Sequence, residues 1–310
     1  MGILPWLRLM RLPNVFTALA DIAMGYFLAA GGLRSAAALA CLAAASALLY
    51  TAGMVLNDVF DYAIDAEERP FRPLPSGQIA LVTARRLGFA LLIGGWLFGG
   101  AAGFLPGAAD SWRSGLVATA LAAAVLAYDG FLKATPAGPL GMGACRFLNV
   151  LLGASTAPAA DASLGFAPAV WLAAAGIGIY IVGVTWLARR EAGASRPGAL
   201  AGATGVMLLG VGVLWIAYRL HTTTVASPRM EPWLFAVLLA LLMFSVVRRC
   251  AAAMRQPAPQ NVQAAVKHSI LSLIWLDAAT VAAAAGPIYG VAVAALLLPA
   301  LALGRWVYST

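Results

Sequence analysis

Apolar residues along this chain fall into long, nearly unbroken runs with no period-two alternation. Ten runs stand out, at 14–31, 35–56, 86–105, 114–130, 139–157, 168–188, 198–219, 232–248, 266–285 and 287–304. Each is close to the roughly 20 residues that a helix needs to cross a bilayer core. A membrane strand would be about half as long and would alternate, so the pattern predicts helices. Only Gly286-Pro287 separates the last two runs, which leaves nine spans and a peripheral segment open beside ten.

Composition makes lipid the solvent. The 310 residues are 62% hydrophobic and 10% charged, with a mean hydropathy of +0.88, against about 25% charged in a typical soluble domain. Only helices or closed barrels satisfy the backbone in lipid. The expected fold class is therefore all-α, a polytopic transmembrane helical bundle of nine to ten helices. No low-complexity tail or soluble module interrupts it, so residues 1–310 are expected to form a single domain.

The net charge is +8, yet no basic domain lies outside the apolar runs, which excludes a nucleic-acid partner. With ten spans, sixteen of the twenty Lys and Arg fall on the side of both termini and the long loops; Arg34, Arg113, Arg219 and Arg229 fall on the other. Positive charge stays inside, so both termini and those loops are expected in the cytoplasm, with the chain multi-pass in a bacterial inner membrane. No cleavage site follows the first run, so no cleavable signal peptide is expected. Cys41, Cys145 and Cys250 are isolated and show no metal-ligand spacing. Gly95, Gly99 and Gly103 have the small-residue spacing of close helix packing.

The chemistry concentrates in residues 57–77, NDVFDYAIDAEERPFRPLPSG. Asn57, Asp61 and Asp65 are spaced i, i+4, i+8, so a helix continued from the second run stacks them on one face with Asp58 beside them. Such carboxylates repel unless something positive lies between them. An all-oxygen set suits a hard divalent cation, and Mg²⁺ binds through one or two carboxylates and takes substrate phosphates besides. Arg69 and Arg72 follow closely, and arginine suits phosphate oxygens. A metal flanked by arginines at a membrane mouth points to a diphosphate head whose apolar tail lies among the helices. The competing account is a solvated acidic helix end, which requires neither this spacing nor the arginines.

These residues resemble the first aspartate motif of the UbiA superfamily of intramembrane prenyltransferases, through NDxxDxxxD at 57–65 and RPxRPLPSG at 69–77. The resemblance covers most of the chain. It implies a helical bundle around a central cavity, and Mg²⁺-dependent transfer of a prenyl group from a prenyl diphosphate to a lipophilic, often aromatic, acceptor. YDGFLK at 128–133 resembles the family's Tyr-x-x-x-Leu-Lys element, which implies roles for Tyr128 and Lys133; RFLN at 146–149 resembles its Arg-x-x-Asn, which implies Arg146 and Asn149. Without the resemblance, Lys133 reads as an orientation charge and Tyr128 as an interface aromatic.

The family's second motif departs. In GVTWLARREAG at 183–193, Thr185 and Arg189 stand where the family usually has aspartates, and Glu191 is the acid nearby. Arg189 or Arg190 then becomes a candidate cation contacting diphosphate in place of a second metal. This form, with RLPNVFTALAD at 11–21 and PAPQNVQAAVKHSILSLIWLDA at 257–278, resembles the EboC-like branch.

Asp21 and Asp277 are acids inside apolar runs. Burying one costs about 2.5–3.5 kcal/mol on insertion scales, so each is a functional candidate or a helix lock. Asn14, at the start of the first run, is a candidate to face the cavity. His221 and His268 stand alone and are weak candidates for a general base. The expected mechanism is ionisation of an allylic diphosphate. Asn57, Asp58, Asp61 and Asp65 would hold Mg²⁺, Asp58, Asp61 and Asp65 would carry the catalysis, and Arg72, Lys133, Arg146 and Arg189 would assist. Asp65 is also a candidate to take the acceptor's proton. The rival reading is a non-catalytic isoprenoid binder or carrier on the same scaffold.

Overall fold

The computed structural model describes residues 2–158, 163–189, 196–224, 229–305 and 307. Arg190 and Glu191 lie outside the described residues, as does Thr310 at the C-terminus. Among the described residues there are helices and no strands. In chain order the helices are α1 (Leu4–Leu9), α2 (Val15–Ala30), α3 (Ala36–Phe60), α4 (Tyr62–Glu68), α5 (Leu81–Ala102), α6 (Arg113–Gly130) and α7 (Gly138–Ala154). There follow α8 (Pro168–Ala188), α9 (Pro197–Thr224), α10 (Pro232–Arg255), α11 (Pro259–Ala285), α12 (Pro287–Ala294) and α13 (Leu297–Gly304).

Nine of the ten apolar runs each lie on one helix, and the tenth is divided between α12 and α13. Eight helical segments are long and apolar enough to cross a membrane, with α12 and α13 counted together. The helices α6 (18 residues) and α7 (17 residues) complete the ten but fall outside that set. Several boundaries differ from the hydropathy reading: α5 begins at Leu81, five residues before its run, and α9 and α10 end at Thr224 and Arg255, five and seven residues past theirs. Helix α11 begins at Pro259, seven residues before its apolar run, because its first turns carry Gln260, Asn261 and Gln263. The last run breaks between Ala294 and Leu297 into α12 and α13. Gly286 makes the preceding turn, with a φ of 116° that a side chain rarely adopts.

Helices α2, α3, α6 and α7 close a ring, each packed on the next; α7 also packs on α8, and α2 on α8 and α11. Small residues set the distance between α2 and α7. A Cβ on Gly25 would strike the Val150 carbonyl, and one on Gly153 the Ile22 carbonyl. At the α3–α5 contact, a Cβ on Gly95 would stand 2.9 Å from the Ala45 carbonyl oxygen. Close approach through small residues is how helices associate where lipid removes the hydrophobic drive.

Two features fix the ends of the ring. At one end a small core of Leu9, Val55, Val59, Leu74, Ile79 and Ala84 ties α1 and the 70–80 connection to the end of α3. Pro70, Pro73 and Pro75 restrict that connection, and Gly77 turns it with a φ of 74°. At the other end Arg113 is buried to 1% exposure. Its guanidinium donates to the Ser155 carbonyl at 2.8 Å, the Gly165 carbonyl at 2.6 Å and the Ala157 carbonyl, clasping the α7–α8 connection.

Candidate active site

Helix α3 carries Asn57 and Asp58 on its last turn, and α4 carries Asp65. Asp61 caps the junction with φ −86° and ψ 3°, so the expected continuous helix is bent there. The i+4 hydrogen bonds nevertheless persist, from the Asp61 N–H to the Asn57 carbonyl at 3.0 Å and from the Asp65 N–H to the Asp61 carbonyl at 2.8 Å. The acids therefore stay together, as their spacing predicts. Asp58 and Asp65 are buried, whereas Asp61 is half-buried.

Each carboxylate is met by a basic group from elsewhere. Arg72 Nη1 lies 2.6 Å from Asp65 and 3.4 Å from Asp58. Arg11 Nη2 lies 3.0 Å from Asp58. Lys133 Nζ lies 2.8 Å from Asp61 and donates to the Asn57 side-chain oxygen at 3.1 Å. The more exposed Arg69 stands 3.9 Å from Asp65. Three segments of chain thus deliver cations to one acidic helix end, answering the repulsion among its carboxylates. Arg8, Arg11, Asp58, Phe71, Arg72, Pro73 and Gln78 line an adjoining cleft of about 990 Å³, solvent at its mouth included.

Sequence reasoning passed over Arg11, counting it as an orientation charge. Its backbone gives it away: φ 44° and ψ 46° are left-handed, a conformation that costs a non-glycine residue about 1–3 kcal/mol. Leu12–Asn14 follow as a 3₁₀ turn containing Pro13. This turn, set on the small core that includes Leu9, aims the guanidinium at Asp58.

Inward from the acids, Ala18, Leu49, Tyr50, Gly53, Leu121, Val125 and Met142 line a mostly apolar cavity inside the ring, of about 490 Å³ including its opening. Met54, Ser46, Tyr128, Asp129, Cys145, Arg146 and Asn149 complete its wall. Arg146 is not turned to the acidic cluster. It donates to Asp21 at 2.8 Å and to Thr17 at 2.8 Å, and its guanidinium lies 5.3 Å from the centre of the Tyr50 ring. Asn149 donates to the Ala18 carbonyl at 2.9 Å and to Asp21 at 3.2 Å, and accepts from Ser46 at 2.8 Å. Asp277 sits against Asp21 and is fully buried with it. Arg146, Asn149 and Asp21 therefore form a buried polar lock among α2, α3 and α7. Asn14 lies beside the Tyr50 hydroxyl and lines a separate cleft with Lys267 and Arg305.

Arg189 reaches the connection between α6 and α7. It donates to the Lys133 carbonyl at 2.8 Å, to the Thr135 carbonyl and to the Pro136 carbonyl at 3.5 Å. It thus holds the loop that carries Lys133. His268 meets the Ser245 hydroxyl at 3.0 Å, and His221 stacks on Tyr218. Neither lines the central cavity.

The donor set Asn57, Asp58, Asp61 and Asp65 is all oxygen and fits a hard cation. Among the described residues, no three His, Cys, Asp or Glu form a ready metal cage. Mg²⁺ needs only one or two carboxylates when phosphates and water supply the rest.

The UbiA prenyltransferase family model matches residues 18–271. The chain belongs to the UbiA prenyltransferase family. Among its relatives, the digeranylgeranylglyceryl phosphate synthase of Methanoculleus marisnigri is 39% identical over 95 residues, 31% of this chain and 33% of that protein. Its counterpart from Ignicoccus hospitalis is 39% identical over 103 residues, 33% of each chain. The chain thus matches about a third of the length of these UbiA relatives. A solved structure described as giving insight into the biosynthesis of digeranylgeranylglyceryl phosphate synthase in membranes has a TM-score of 0.62 at 19% identity, covering 91% of this chain and 98% of that one. A UbiA homologue from Archaeoglobus fulgidus bound to GPP and Mg²⁺ has a TM-score of 0.57 at 14% identity, covering 94% of this chain and 99% of that one. At these identities the structures establish a shared UbiA fold.

Proposed function

We propose that this protein transfers a prenyl group from a prenyl diphosphate to a lipophilic acceptor within the membrane, acting as one unit over its whole length. The observation that carries the reading is the set of cations, Arg11, Arg72 and Lys133, gathered on a carboxylate cluster beside an apolar cavity. Asn57, Asp58, Asp61 and Asp65 would hold Mg²⁺, which when bound neutralises charge developing on a leaving diphosphate. Arg11, Arg72 and Lys133 would exchange part of their hold on the carboxylates for phosphate oxygens, with Arg69 at the rim. The prenyl tail would lie against Leu49, Leu121, Val125 and Met142, where water is excluded and an allylic cation survives long enough to be captured. The ring faces of Tyr50 and Tyr128 would stabilise that cation. Orientation follows from charge: the acidic cluster and the Lys- and Arg-rich loops face the cytoplasm. Relatives named for a glyceryl phosphate product favour an aliphatic lipid acceptor over an aromatic one.

The test is titration of the purified protein with a non-hydrolysable prenyl diphosphate, with and without Mg²⁺. The wild type is expected to bind it in a Mg²⁺-dependent manner and Asp61→Ala to lose that dependence while remaining folded. Unchanged Mg²⁺-dependent affinity in the variant would overturn the assignment. Prenyl donors incubated with lipid acceptors and analysed by mass spectrometry separate an enzyme from an isoprenoid carrier, which binds donor and yields no product.

A further inference from the structure

Asp129 lines the central cavity from the last turn of α6 and is 2% exposed. Its Oδ2 has no hydrogen-bond partner. Among the other polar side chains lining it, Ser46 bonds to Asn149, and Arg146 to Asp21 and Thr17. Lys133, four residues on, is engaged by Asp61 and Asn57. An unpartnered carboxylate oxygen in an apolar wall costs free energy unless something donates to it. Gly53 stands across from it on α3, where a Cβ would come 3.8 Å from Oδ2. The absent side chain leaves the carboxylate a face toward the cavity. Asp65, by contrast, is held by Arg72 at 2.6 Å and does not line this space.

We propose that Asp129 is the catalytic residue that receives the acceptor, accepting a hydrogen bond from a hydroxyl on a lipid alcohol. The proposal rests on the prenyl-transfer reading for its chemistry. In that reaction the donor's C–O bond breaks with its electron pair leaving on diphosphate. A new C–O bond forms to the acceptor's hydroxyl oxygen, and the proton of that hydroxyl passes to Oδ2 of Asp129. Among the described residues Asp129 is the one acid lining this mostly apolar cavity, so the acceptor is an alcohol with an apolar chain.

The experiment uses the full chain in detergent, with Asp129→Asn and Asp129→Leu. The probes are 1-O-decylglycerol, its di-O-methyl ether and a non-hydrolysable prenyl diphosphate with Mg²⁺; binding is read by native mass spectrometry and calorimetry. Asp129→Leu is expected to weaken decylglycerol by about tenfold or more, the scale of one hydrogen bond to a charged group, and to leave the methyl ether unchanged. Asp129→Asn, nearly isosteric, retains decylglycerol within about threefold because an amide oxygen still accepts. With a hydrolysable donor it forms no ether product. Equal binding of decylglycerol to wild type and Asp129→Leu overturns the proposal, as does a parallel loss of alcohol and ether. Full ether formation by Asp129→Asn overturns the proton transfer. Failure of the wild type to bind the donor probe instead overturns the prenyl-transfer reading, while the alcohol–ether comparison still decides the role of Asp129.

Discussion

Arg72 is the hinge of the charge arrangement, because one nitrogen contacts both Asp58 and Asp65. Removing it leaves two buried carboxylates facing each other with Arg11 to serve Asp58 and the distant Arg69 to serve Asp65. Breaking a buried ion pair by deleting one partner costs about 3–5 kcal/mol, and the 16% exposure of Arg72 reduces that. Arg72→Met is therefore expected to lower affinity for a non-hydrolysable prenyl diphosphate by at least about tenfold, while Arg69→Met changes it by less than about threefold. Equal effects from the two variants in calorimetry would count against the arrangement. At this scale the sequence was legible where spacing carries meaning: Asn57, Asp58, Asp61, Asp65 and Arg72 do come together, and Lys133, which the family resemblance singled out, joins them. Arg11 and Asp129 were not legible. A basic residue flanking an apolar run has the same appearance whether it orients the helix or meets a carboxylate, and an acid on the last turn of a run looks like the start of a loop.

Among the elements, the α6–α7 connection depends on Arg189 from the end of α8. The guanidinium donates to the carbonyls of Lys133, Thr135 and Pro136, and the Thr135 carbonyl also accepts from the Gly138 N–H at the start of α7. Lys133 then presents its ammonium to Asp61. Arg189→Asp would place a negative group against those carbonyls and free the loop, so donor affinity is expected to fall by about tenfold, with no steeper Mg²⁺ dependence. Donor binding as tight as wild type, with a steeper Mg²⁺ response, would show the position still serves a metal. Hydropathy found every long helix because a bilayer demands one length of apolar chain. It misplaced the starts of α5 and α11, the ends of α9 and α10 and the break between α12 and α13, since a helix continues past its apolar stretch wherever backbone bonds allow and can break inside an apolar run.

The whole molecule sorts its charge by end. Arg11, Asp58, Asp61, Arg72, Lys133 and Arg189 meet at one end of the ring, although they come from connections more than a hundred residues apart. That juxtaposition requires the alternating path expected from the distribution of Lys and Arg. With the native cysteines replaced, a single cysteine at Gly77 should react with a membrane-impermeant maleimide only after cells are opened. One at Gly107, in the connection after α5, should react in intact cells. The opposite pattern would invert the orientation. The closed ring itself was not legible in the runs, because no periodicity states which helix meets which. It follows from contacts such as those of Gly25 with Val150 and Gly153 with Ile22.

Arg113 has a consequence for how the protein is made. The carbonyls that satisfy it belong to residues 42, 44 and 52 positions later in the chain. At about 5–20 residues per second of synthesis, they emerge roughly 2–10 s after the arginine does. During that interval α6 enters the membrane with a charge at its leading end whose one early partner is Asp110, 3.5 Å away in the finished protein. Asp110, water and lipid phosphates at the far surface must hold the guanidinium until α7 has inserted and the segment leading to α8 has followed. The clasp closes late in biogenesis, and a ribosome stalled soon after α7 would leave behind a chain whose ring has all four helices and lacks its last fastening.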